Sequence, residues 1–114
     1  MPIPNAYRET VVVLAASTAA GQIGWKPHEA GFIAEVGGST LRVWDGADKE
    51  TNHEFVAFGL LDPKGKHLDS WYIDDGDEDF LLMTRLLVDV RRAALGIPDR
   101  LRSIIEALRE KGGG

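Results

Sequence analysis

The sequence predicts an α+β fold: an N-terminal helix, a four-stranded antiparallel meander made of two hairpins, and two C-terminal helices. Three observations carry that prediction. Residues 32–43 alternate in polarity around Gly37-Gly38, and two adjacent residues tolerant of positive φ suit a two-residue hairpin turn. Residues 55–73 form two strand-like runs around Asp62-Pro63-Lys64-Gly65, with Asp, Pro and Gly where a type I turn favours them. From Asp75 to Leu108 apolar residues recur at helical spacing, broken once by Leu95-Gly96-Ile97-Pro98. There Gly suits the left-handed position after a helix, and Pro opens the next one.

The first helix rests on Val11, Leu14, Ala15 and Thr18, the i, i+3, i+4, i+7 spacing of one buried stripe. Asn5 is its expected N-cap and Gly21 its stop. The Val11-Val12-Val13 triplet would also suit a strand, but the alanine-rich continuation favours a helix. A polar bend through Pro27 follows. In the first hairpin a two-residue turn sets Ala34 opposite Leu41 and Phe32 opposite Val43 on one face. It sets Glu35 opposite Thr40 and Ile33 opposite Arg42 on the other, so one face is apolar and the other mixed. Residues 45–52 read as a polar loop. Phe55 to Leu61 is almost wholly apolar, as for a central strand covered on both faces. The long helix is expected to begin near Asp75, with Asp75 and Glu78 at capping-box spacing and Asp77 and Asp79 in the first turn, where the dipole favours negative charge. Its stripe runs through Phe80, Met83, Leu87 and Val90. The last helix places Leu101, Ile104, Ile105 and Leu108 on one side. One domain over residues 1–114 is expected, fraying at 1–5 and 110–114.

Composition narrows function mostly by exclusion. The 114 residues include no cysteine, so disulfides and thiolate metal sites are out, as in a reducing cytoplasm. The longest apolar run is far shorter than a membrane span. The opening Met1-Pro2-Ile3-Pro4-Asn5 lacks the basic residues of a signal peptide, so the expected location is cytoplasmic, with no membrane partner. A net charge of -5 works against nucleic acid, whose binding depends on neutralised phosphates. Arginines gather in the last third of the chain, where they form a solvated face or a basic ridge for an acidic partner.

The chemical motifs fail on spacing. Asp74-Asp75-Gly76-Asp77-Glu78-Asp79 resembles a calcium loop, but aligning Gly76 puts Trp71 and Ile73 at ligand positions and Leu82 at the bidentate Glu position. Gly59 to Lys66 has five residues between its glycines, not four, and His67 stands where a phosphate loop needs Ser or Thr. His28, His53 and His67 form no paired ligand motif. His67 and Asp69 are expected on one strand face, where they would pair. No serine lies in a nucleophile elbow. The reading therefore assigns no catalytic residue, no metal ligand and no cofactor.

Aromatic and arginine residues give the stronger lead, since Trp, Tyr and Arg are enriched at binding hot spots. Trp44 falls on the mixed face with Arg42 and Thr40, and Trp71 alternates with Ser70 and Tyr72, so at least one of those aromatics is expected to be partly exposed. The candidate binding residues are Arg42, Trp44, Trp71, Tyr72, Arg91 and Arg92, the arginine pair lying on the long helix.

Three segments together, Gly21-Gln22-Ile23-Gly24-Trp25, Leu61-Asp62 with Gly65, and Arg91-Arg92-Ala93-Ala94-Leu95-Gly96, resemble a class of small bacterial α+β domains of unknown function. The likeness spans nearly the whole chain, departs at Leu87 and Val90, and carries no catalytic residue across. It implies an accessory or interaction role. The function expected is a non-enzymatic protein-interaction domain, an adaptor or immunity-type protein, with another protein or a second copy as partner. A small-ligand or nucleotide sensor and an enzyme with a spatially assembled site are the alternatives.

Overall fold

The computed structural model describes residues 2–112. The first helix, α1 (Asn5–Ala19), is followed by β1 (Lys26–His28), β2 (Gly31–Val36), β3 (Ser39–Ala47), β4 (Glu54–Leu61) and β5 (His67–Asp74), then α2 (Phe80–Ala94) and α3 (Ile97–Gly112). The strands form one antiparallel sheet in the order β1-β2-β3-β4-β5. The sheet thus has five strands where four were expected. The extra strand is the bend through Pro27, which pairs with Phe32. It is short, exposed and at the edge, where proline's missing N–H costs no ladder bond.

The expected register holds, with Phe32 opposite Val43, Ala34 opposite Leu41 and Ile33 opposite Arg42. Gly37 and Gly38 take φ of 60° and 78° at the turn. At the second turn the Gly65 N–H donates to the Asp62 carbonyl (2.9 Å), and Asp62 Oδ1 accepts from the Lys64 and Lys66 N–H groups. Gly65 sits at φ 87°, so the turn closes with a bulge and the register slips beside Leu60/Leu61. Leu68 is the extra residue, because Leu60 faces Asp69 and Leu61 faces His67.

One sheet face carries Phe32, Val43, Phe58 and Trp71 in a row, flanked by Val56 and Ile73. α1 and α2 cover this face. Val11 and Leu14 from α1 and Met83, Leu86, Leu87 and Val90 from α2 join its buried residues in one core. The Trp25 indole N–H closes one end by donating to Thr18 Oγ1 (3.1 Å). Removing these side chains from water supplies the main drive for folding, roughly 1.5–3 kcal/mol for each large one.

Several helix ends differ from expectation. Asn5 is the first helical residue, and Pro4 precedes it as the cap without a side-chain bond. The C-terminus is as expected: Gly21 has φ 75°, and the Gly21 and Gln22 N–H groups reach the Thr18 and Ser17 carbonyls, a paired closure favoured at glycine. α2 starts at Phe80, not near Asp75. Asp75 is no helix cap, because its carboxylate accepts from the Glu54 N–H at 3.1 Å and meets His53. Asp79 instead reaches back to the start of the chain. It accepts from the Ile3 N–H (2.9 Å) and from Arg8 (2.9 Å). Ile3, inside the segment expected to fray, is buried. At the other end α3 is helical to Gly112; residues 113–114 of the expected C-terminal fraying lie outside the described residues. Gly96, at φ 67°, separates α2 from α3. No helix among the described residues is long and apolar enough to cross a membrane.

Candidate functional site on the open face of the sheet

The second sheet face has no helix on it. By the ladder, Arg42 faces Gly59, Trp44 faces Ala57, and Ala57 faces Tyr72, so these residues share the uncovered side. Strand alternation alone puts them there.

Glycines make room for the rings on this face. A Cβ at Gly59 would come within 3.1 Å of the Trp44 ring, and one at Gly46 within 2.7 Å of the Phe55 ring. Gly31, opposite Trp44, leaves room for that residue's own Cβ, which a side chain there would meet at 2.7 Å. Trp44 therefore covers bare backbone, which explains why Ala57 and Gly59 are buried on a face with no helix. The Arg42 guanidinium lies 4.6 Å from the Trp44 ring centroid, a cation–π contact. One of its terminal nitrogens is 3.5 Å from Glu29. His67 meets Trp44 edge-on at 6.5 Å, and Phe55 meets Tyr72 edge-on at 5.8 Å. Tyr72 is 59 % exposed.

Between these rings runs an open cleft of about 460 Å³, with Trp44, Phe55, Ala57, Tyr72 and Asp74 in its lining. It wraps the free edge of β5, where Pro2, Pro4 and Trp71 form its far side. A second hollow of about 200 Å³ adjoins it, sharing Phe55, Tyr72 and Asp74 and adding Asp48 and His53. Its rim is a tied loop: Asp48 Oδ1 accepts from the Glu50 N–H, and the Asp48 N–H donates to the His53 carbonyl. His53 Nδ1 is 2.7 Å from Asp75 Oδ1. The Glu54 backbone N–H, and then His53, hold Asp75 below the ordinary carboxylate range. The combined surface is aromatic in the middle and acidic at one end.

The six residues singled out from the sequence fall in four places. Arg42, Trp44 and Tyr72 come together on the open face. Trp71 lies on the covered face, stacked on Phe58 at 5.2 Å and edge-on to Tyr7 at 5.5 Å, and reaches the cleft only around the sheet edge. Arg91 sits on the helix side, 3.9 Å from Asp45 and 5.8 Å from the Phe32 ring centroid. Arg92 lines a separate groove between the end of α1 and the start of α3. Arg42 is also largely spent on Trp44 and Glu29, with 17 % of its side chain exposed.

The expected His67–Asp69 pair does not form. The bulge at Leu68 turns His67 to the open face and Asp69 to the helix side, where it accepts from the Tyr7 hydroxyl at 2.7 Å. Burial, and then Asp69, push the Tyr7 hydroxyl up to about 12. Phe55 was missed because it reads as the first residue of an apolar strand. The signal lay in Gly46 and Gly59, glycines inside strands, which mark close approach of another group. Among the described residues no group of three or more His, Asp and Glu side chains is placed to hold a metal ion.

Comparison of the chain with protein-family models, with curated proteins and with solved structures gave no match.

Proposed function

We propose that this domain is a non-catalytic protein-interaction module that takes an apolar and basic segment of its partner across the open sheet face. The observation that carries this reading is the pair of adjoining clefts, in which Phe55 and Tyr72 are shared and Asp74 and Asp48 stand at one end. Aromatic rings packed against glycine backbone offer contact area that is already ordered, so binding costs little rotamer entropy. The carboxylates favour Lys or Arg beside the apolar residue that fills the cleft. With the likeness to small bacterial domains noted in the sequence, the role is that of a cytoplasmic accessory or immunity-type protein.

A small-ligand sensor is the second reading, supported by a cleft volume within the range of ligand sites, roughly 300–1,000 Å³. The lining contains Asp74 and no Lys or Arg, which is the wrong charge for a nucleotide. A thermal-shift screen against nucleotides is therefore expected to be silent.

The direct test is selection of random displayed peptides on the immobilised protein. We expect enriched sequences to join an aromatic or aliphatic residue to Lys or Arg. Binding of those peptides should fall at least tenfold with Tyr72→Ala, and several-fold with Asp74→Asn. Because Tyr72 is exposed, its removal leaves the core untouched. Acid-rich winners, or winners indifferent to both substitutions, would overturn the reading.

A further inference from the structure

α3 carries a stripe of large apolar side chains that its own chain leaves uncovered. Leu101, Ile104, Ile105 and Leu108 are 48–62 % exposed, and α3 buries none of its residues. Among the described elements it packs against α2 alone. It projects from the body: the radius of gyration is 16.5 Å and the long axis 56 Å, against about 13 Å for the radius of a compact chain of this length.

The charges around the stripe restrict what can cover it. At 100° per residue, Arg100 and Lys111 border one side and Arg102 and Arg109 the other. Asp99, Glu106 and Glu110 fall on the back of the helix. A second α3 laid on the first, parallel or antiparallel, would set basic residues against basic residues along both borders, which is destabilising. The occupant must therefore be an apolar surface without basic borders.

α1 offers such a surface. Its outer side, opposite Val11 and Leu14, presents Val12, Val13 and Ala16 to solvent. The one charge among them is Glu9, of the sign that the α3 borders attract. Arg8, nearby, is already paired with Asp79. A helix apolar on both sides is one that expects a second cover. Small residues on α1 and long ones on α3 are also shapes that interdigitate, with small side chains receiving large ones.

We propose that two copies of this chain exchange their last helices, the α3 stripe of each lying along the outer α1 face of the other. One contact type then covers both exposed apolar faces and repeats about a two-fold axis. A helix face about 24 Å long and about 10 Å wide presents on the order of 250 Å². Two reciprocal contacts bury on the order of 1,000 Å² in all, about the floor for a specific interface and short of the roughly 1,200 Å² where stable ones begin. The open sheet face takes no part, so this inference and the partner site proposed above stand or fall separately.

The full chain should sediment as a dimer at micromolar concentration, and Ile105→Asp should weaken the dimer at least tenfold while the cooperative thermal transition persists. Ala16→Arg on α1 should do the same. The natural chain has no cysteine, so single cysteines report contacts cleanly. Ala16→Cys mixed with Leu108→Cys should be bridged by a short bismaleimide in much higher yield than either variant alone. A chain that stays monomeric throughout overturns the proposal. So does Leu108→Cys bridging chiefly to itself, which would place α3 on α3.

Discussion

α2 and α3 follow one another, have 15 and 16 residues, and carry apolar stripes of the same period. α2 buries Met83, Leu86, Leu87 and Val90 against the sheet and α1; α3 buries nothing. α2 is also tied at its start, where Asp79 holds the Ile3 N–H and Arg8, whereas the sharp stop at Gly96 sends α3 away from the body. Periodicity in a sequence therefore names the face that needs a cover, and the turn before the helix decides whether the chain's own core supplies it.

The largest expected effect breaks this contrast if it is wrong. Leu86→Ala should cost about 2–5 kcal/mol, the range for a buried leucine. Leu101→Ala in dilute, monomeric protein should stay within about 0.5 kcal/mol. Urea unfolding of the two variants checks both, and equal losses would mean that α3 packs on its own body.

The tie at the start of α2 comes next. Asp79→Asn removes the charge that Arg8 and the Ile3 amide share, and we expect a loss of about 1–3 kcal/mol near neutral pH. The Arg8 guanidinium, and then the Ile3 N–H, hold the Asp79 carboxyl below the usual carboxylate range. A depressed folded pKa contributes stability that is present above the unfolded value, about 3.9, and is lost as pH falls through the folded one. Wild type should thus lose more stability than Asp79→Asn between neutral pH and pH of about 3. Parallel slopes in urea midpoint against pH would remove Asp79 from the account.

A smaller loss than at Asp79 is expected at the joint between the two helices. A Cβ at Gly96 meets nothing within 4 Å, so Gly96→Ala tests backbone strain alone and should cost about 1 kcal/mol. Gly96→Asn should cost less, because Asn tolerates the left-handed region. Calorimetric midpoints would separate the two by a few degrees.

Much of this fold follows from rules that act within a few residues. The Gly37-Gly38 and Asp62–Gly65 turns, the helix closure at Gly21 and the break at Gly96-Ile97-Pro98 are local, and the hairpin register follows from alternation once the turn is placed. What escaped depends on partners distant in sequence. β1 has three residues, one of them proline, and exists because Phe32 lies beside it. Asp75 looks like a helix cap until the Glu54 N–H, 21 residues earlier, takes its carboxylate. The single extra residue at Leu68 separates His67 from Asp69. On the candidate site, alternation put Arg42 and Trp44 on one face and left at least one of Trp71 and Tyr72 exposed without saying which; Tyr72 joins the first two through Ala57. Trp71, Arg91 and Arg92 were grouped with them by residue type, and residue type does not say which face of the molecule a side chain occupies.

The clasp between Ile3 and Asp79 spans 76 residues of chain, and this bears on the order in which the molecule can be completed. The five strands pair only with neighbours in sequence, so each hairpin can form as soon as its second strand exists. α1 is different. Its stripe docks beside Phe58, Trp71 and Met83, and the bond that fixes the chain ahead of it waits for Asp79. During synthesis from the N-terminus, the first helix made is thus among the last to find its place, and until then Val11 and Leu14 are as exposed as the stripe on α3. Long-range closures of this kind slow folding and prolong the exposure of sticky surface.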